Sequence, residues 1–111
     1  MITISMMDAN SFVEGVTLDK VAYKLRFNWS DVAGHWFLDV CDDKNKDIIN
    51  GVSVVPNFPL LNQYKRIGGL PPGELMAIVT DNGDDIGRQD FVNGRAVLVY
   101  MPEEELKNAL E

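Results

Sequence analysis

Few residues of this chain have the types and spacing that chemistry needs. The most suggestive group is Asp43-x-Asn45-x-Asp47, which matches the first three ligand positions of a calcium loop. The match then fails: Ile48 stands where the loop's sharp bend needs glycine, and Val54 where a bidentate glutamate is needed. Asp81, Asp84 and Asp85 could gather around an ion, but their spacing follows no known site. The single histidine, His35, has no partner at triad or zinc spacing and reads as a solvated turn residue. Ser5, Ser11, Ser30 and Ser53 lie outside any nucleophile-elbow context. The run Gly68-Gly69-Leu70-Pro71-Pro72-Gly73-Glu74 lacks the Lys-Ser/Thr ending of a phosphate loop. Cys41 is the only cysteine, which excludes an internal disulfide, and it reads as a plain half-buried thiol. The residues thus predict no catalytic group, no metal site and no cofactor.

The elements that would have to carry any site are strands. Between residues 22 and 42, Tyr23, Leu25, Phe27 and Trp29 alternate with Ala22, Lys24, Arg26 and Asn28. After the turn-prone break Ser30 to His35, Trp36, Leu38 and Val40 resume the alternation. A two-residue period is the mark of a half-buried β-strand. Pairing Trp29 with Trp36 sets Phe27 against Leu38 and Leu25 against Val40, and makes these seven residues the expected structural core. Both indoles are in phase with the aliphatic residues, so they are expected to pack inward and not to form a sugar platform.

Further strands are expected at 2–6, 11–18, 48–55, 74–81 and 95–101. Gly15 suggests a bulge or a close backbone approach in the second of these, and Asn50-Gly51 a bulge or turn in 48–55. The alternation in 95–101 suits a strand buried on both sides. Pro56 and Pro59 stop ladder pairing, leaving 57–67 for one or two helical turns with Leu60, Leu61 and Tyr64 inward. Residues 82–95 read as a long irregular connection. Pro102 followed by Glu103, Glu104 and Glu105 opens a short helix, with Leu106 and Leu110 on one stripe. Such a helix is too short to stand alone in water and needs a surface to dock on. The expected fold is all-β: a small antiparallel β-sandwich or barrel of six to seven strands with a short C-terminal helix. It forms one domain over 1–111, with its core in 2–101 and the helix in 102–111.

Composition narrows the partners. Seventeen acidic against ten basic residues give a net charge of −7, which argues against phosphate-driven nucleic-acid binding. No run approaches the roughly 18 apolar residues of a membrane span, and the N-terminus lacks the basic start and apolar stretch of a signal peptide. Synthesis and folding in a cytoplasm are expected.

The ordered series Tyr23-x-Leu25-x-Phe27-x-Trp29, then Gly34-His35-Trp36-Phe37-Leu38-Asp39-Val40, resembles the baseplate plug proteins of tailed bacteriophages. The resemblance continues through Val54-Val55, Leu60-Leu61-x-x-Tyr64, Gly69-Leu70-Pro71 and Leu75 to Asp81, then Phe91, Gly94 and Val97 to Tyr100. It implies a structural, non-enzymatic protein of the virion tail, set near the hub at the distal end of the tail tube. Its partners would be other baseplate, hub and tail-tube proteins, with identical copies in a closed ring. The loop 82–95 departs from the Pro-Thr-containing connection of the family, and the helix after Pro102 is an addition. Partner contacts are therefore expected there, through Arg88, Phe91, Leu106 and Leu110 and by strand addition or loop docking. The competing reading is a small β-sandwich binding module for carbohydrate or, through its acidic turns, for calcium.

Overall fold

The alternating aromatic run folds as the register of its side chains requires. A computed structural model describes residues 2–64, 67–79, 81 and 86–105. Strands β3 (Val21–Ser30) and β4 (His35–Asp42) form the central hairpin, pairing Trp29 with Trp36, Phe27 with Leu38 and Leu25 with Val40. Gly34, at φ +73°, closes the turn, and its N–H donates to the Ser30 carbonyl over 2.8 Å. Tyr23, Leu25, Phe27, Trp36, Leu38 and Val40 are buried. Trp29 is only half-buried, because it stands beside the turn and its indole N–H reaches out to the Asp31 carboxylate, 2.8 Å away.

Strand β2 (Ser11–Leu18) pairs with β3 through the two-residue turn Asp19-Lys20, both at positive φ (51° and 70°). A left-handed turn matches the twist of a hairpin, although glycine or asparagine is the usual occupant. Asp19 has compensating contacts: its carboxylate accepts the Tyr100 hydroxyl at 2.5 Å and the Glu103 N–H at 3.2 Å. Neither the bulge nor the close backbone approach expected at Gly15 is present. The β2–β3 register runs unbroken from Ser11 opposite Asn28 to Leu18 opposite Val21. Gly15 faces outward with open space about it, so a small residue there reflects a bare outer face.

Strand β5 (Asp47–Ser53) completes a four-stranded sheet in the order β2-β3-β4-β5. Its pairing with β4 slips between Leu38 and Val40, where Asn50 and Gly51 stand against Asp39, and again before Cys41. Gly51 takes φ +71°, and its N–H donates to Asp39 Oδ1 over 2.7 Å. The Asn50-Gly51 irregularity is therefore a bulge tied down by a side chain.

The second sheet has three strands in the order β1 (Ile2–Ile4), β7 (Ala96–Met101) and β6 (Glu74–Val79), all antiparallel. Two separate ladders around one apolar core make a sandwich and not a barrel. The chain crosses between sheets along 54–60. Val54 N–H bonds the Trp36 carbonyl at 2.9 Å, Asn57 N–H the Ala77 carbonyl at 2.7 Å, and Leu60 N–H the Leu75 carbonyl at 2.9 Å. The Asn57 side chain also clamps both backbone groups of Val79. Leu60 and Leu61 are fully buried ahead of a single 3-10 turn, Asn62–Tyr64. Glu74 is the one buried charged side chain among the described residues, and its Oε1 accepts the N–H groups of Leu61 (2.6 Å) and Leu75 (3.0 Å).

On β7, Ala96, Leu98 and Tyr100 point into the core and Val99 is buried on the other side, but Val97 is 38% exposed. That strand is thus open on part of its outer face, where burial on both sides was expected. Among the described residues of the 82–95 connection, Asp90–Asn93 form a short helix, α1, ended by Gly94 at φ +90°. Residues 103–105 begin a helical turn, while Leu106, Leu110 and the rest of 106–111 lie outside the described residues.

Candidate interaction surface

The residues with chemical potential are committed to one another. Arg26 donates from Nε to Asp39 and from Nη2 to Asp47, both at 2.9 Å. The Cys41 thiol donates to the same Asp47 oxygen over 3.3 Å. Asp47, the third ligand position of the calcium-like run, is thereby spent on a guanidinium and a thiol. Asp42, just before the run, accepts the N–H groups of Lys44 and Lys46, both at 2.9 Å, and shapes the turn. The Asp47 carboxyl is held below its ordinary range by the Cys41 hydrogen bond and by Arg26. Burial, then the bond to Asp47, push the Cys41 thiol up, so it stays protonated near neutrality.

Two expectations follow. A depressed carboxyl stabilises the fold above its unfolded pKa and loses that contribution as pH falls through the folded value. The native chain should therefore melt above an Asp47→Asn variant at neutral pH, with the gap closing well below pH ~4. Thermal melts across an acid series read this directly. The Cys41 thiol is 2% exposed. In the native chain it should be alkylated more slowly than in urea by a factor on the order of 10³ or more, the ratio set by a global opening of about 5 kcal/mol.

His35 is half-buried and lies against Phe37, with ring centroids 4.7 Å apart, so it is a packed strand residue and not a solvated one. The two indoles do not form a platform. Trp36 is 2% exposed and enclosed by Phe12 (5.9 Å, edge to face) and Trp29 (5.6 Å, edge to face).

The remaining candidate surface surrounds α1. Arg88 pairs with Asp8 at 3.3 Å and also donates to Asn10, while Gln89 donates to Asp8 at 3.0 Å. These bonds join the segment before α1 to the β1–β2 connection. Asp90 accepts the Gly87 N–H and an Arg95 N–H, both at 2.5 Å, and Arg95 also pairs with Asp81 at 2.8 Å. The Asp81 carboxylate considered for a metal is thus engaged by an arginine, while Asp84 and Asp85 lie outside the described residues. Phe91 packs half-buried against the core and lines, with residues of β1 and β7, a hollow of about 180 Å³. Val92 on the same helix is 47% exposed, and Val97 of β7 is 38% exposed. Of the four residues expected at an interface, Arg88 and Phe91 lie around α1, Arg88 bonded to the β1–β2 connection and Phe91 packed against the core. Leu106 and Leu110 lie outside the described residues.

The family model described as cyanophage baseplate Pam3 plug gp18 matches residues 1–104 of the 111. The chain belongs to that family of phage baseplate plugs. No curated protein matches it. Membership gives the chain a structural role in the tail baseplate, in association with other baseplate and tail proteins. The match takes in β1 to β7 and α1 and covers residues up to 104; Leu106 and Leu110 fall outside it. No helix among the described residues is long and apolar enough to cross a membrane.

Proposed function

We propose that the chain is a plug-like, non-enzymatic structural protein near the hub, at the distal end of the tail tube, acting only through protein–protein contacts. The observation that carries this reading is the family match over residues 1–104. The side chains with chemical potential support it, since Asp47 is engaged by Cys41 and Arg26, and Asp81 by Arg95. The 1–111 chain acts as one β domain, with its core in 2–101 followed by the helix 102–111. The α1 bracket within 82–95 and the C-terminal helix carry the contacts, with Phe91 and Arg88 fixing the bracket and Leu106 and Leu110 meeting the partner. Identical heterologous contacts close into a ring when the rotation permits, and tail symmetry favours such a ring. Neither nucleic acid nor membrane is a partner: the charge of −7 opposes phosphate binding. The protein is made in the host cytoplasm and ends in the virion.

Removal of residues 103–111 tests the contact assignment. The truncated chain should keep its β circular dichroism and a cooperative melt, yet be missing from purified tails when it alone complements a deletion phage. Normal incorporation of the truncated chain would overturn the helix's role.

A further inference from the structure

The four sheet edges are not alike. β1 is three residues long, β6 is covered by the 54–60 crossing, and β5 is broken by two register slips. Short, covered and bulged edges are the usual ways a sheet avoids taking up another strand. β2 is the exception, with eight residues in unbroken register and no proline, lysine or arginine. Among the described residues, no backbone group pairs with its outer side. The Trp29 N–H donates to the Asn10 carbonyl over 2.8 Å, which makes Asn10 and Trp29 a hydrogen-bonded pair. Antiparallel ladders alternate, so Phe12, Glu14, Val16 and Leu18 bond to β3. Ser11, Val13, Gly15 and Thr17 then turn their N–H and C=O groups away from the sheet. All four are exposed, Val13 at 51%.

Glu14 decides which strand can pair there. It is the only charge on β2 and shares the inward-facing set with the buried Phe12 and Leu18, opposite Leu25. A strand laid along β2 takes water from this carboxylate and must bring it a positive charge. A second copy brings the same glutamate and a further net charge of −7. We propose that the β2 edge is a strand-addition site for an extended segment of a different protein, one that places a lysine or arginine against Glu14.

This deepens the contact role proposed above, and its test uses purified full-length protein, so its failure is distinct from a failure of tail incorporation. The probes are two blocked peptides of β2's length, alternating threonine and valine, one with a central lysine and one with a central glutamate. The readout is amide hydrogen exchange of the labelled chain by NMR, whose dispersion also reports folding. The lysine peptide should slow exchange at Ser11, Val13, Gly15 and Thr17 by about tenfold, a 1.4 kcal/mol preference, and the glutamate peptide should leave it unchanged. Glu14→Gln should erase the difference between peptides, and Glu14→Lys should reverse it. Gly15→Pro removes an outward N–H without touching a bond to β3 and should abolish protection by either peptide. Equal protection by both peptides on the native chain, protection confined to another edge, or none with the lysine peptide at its solubility limit would overturn the proposal.

Discussion

Gly73→Ala is expected to cost more than about 4 kcal/mol, the range reached only by mutations with a severe steric or burial fault. A Cβ on residue 73 would lie 2.1 Å from the Met101 carbonyl oxygen and 2.6 Å from the Tyr100 hydroxyl. Neither neighbour is free to retreat. The carbonyl belongs to the last residue of β7, which pairs with Glu74, and the hydroxyl is held by Asp19 and by the N–H of Gly73 itself, at 2.8 Å. For a chain of this size the whole stability is about 5–15 kcal/mol, so the variant should be largely unfolded or melt far below the native protein. Thermal denaturation followed by circular dichroism checks it. Adding Tyr100→Phe removes the hydroxyl clash but leaves the carbonyl clash, so the double variant should not recover. A melt within a few degrees of native would show that β7 and the 71–73 turn can separate.

Trp36→Ala should remove about 3–5 kcal/mol, the cost of emptying a large aromatic site in a core that relaxes only partly. Trp36 lies beneath Phe12 and Trp29 and pairs with Trp29 across the hairpin. Its loss also strips contacts from the stacked Phe12–Phe27 pair, whose centroids are 5.1 Å apart. Trp29→Ala provides the contrast. The two residues are paired and of the same type, but Trp29 is half-buried at the turn with its N–H on Asp31, so its removal should cost less than half as much. Urea unfolding of the two variants measures both values. Equal losses would mean that burial does not rank these positions.

The difference between the two tryptophans shows where the sequence speaks clearly and where it stops. A two-residue period with large aromatics specifies both face and register, because a slip of one residue would turn the whole apolar set to solvent. That is why the pairings from Trp29–Trp36 to Leu25–Val40 are readable. Periodicity says nothing of where a strand leaves the core, so the partial exposure of Trp29 was invisible. Glycines were legible in part: the bulge was among the readings offered for Asn50-Gly51, while the reasons for Gly15 and Gly73 were not readable. Gly51 proved a bulge, Gly15 a bare outer position, and Gly73 a close backbone approach that resembles any other glycine in a Pro-Gly loop. The Arg26–Asp39–Asp47 linkage joins residues 13 and 21 positions apart, and only the folded register brings them together. The α1 bracket had no periodic signal because its anchors, Asp8 to Arg88 and Asp81 to Arg95, are ion pairs between connections. An interface is the least readable feature of all, since half of the complementarity is written in another chain.

The most direct test of the structural baseplate role is quantitative mass spectrometry of gradient-purified virions and tails, made with and without this gene. The account predicts that the chain is present in tails in fixed ratio to the other baseplate proteins, and that deletion gives non-infectious particles with defective distal ends. Particles that lack the chain yet show intact baseplates and full infectivity would contradict it.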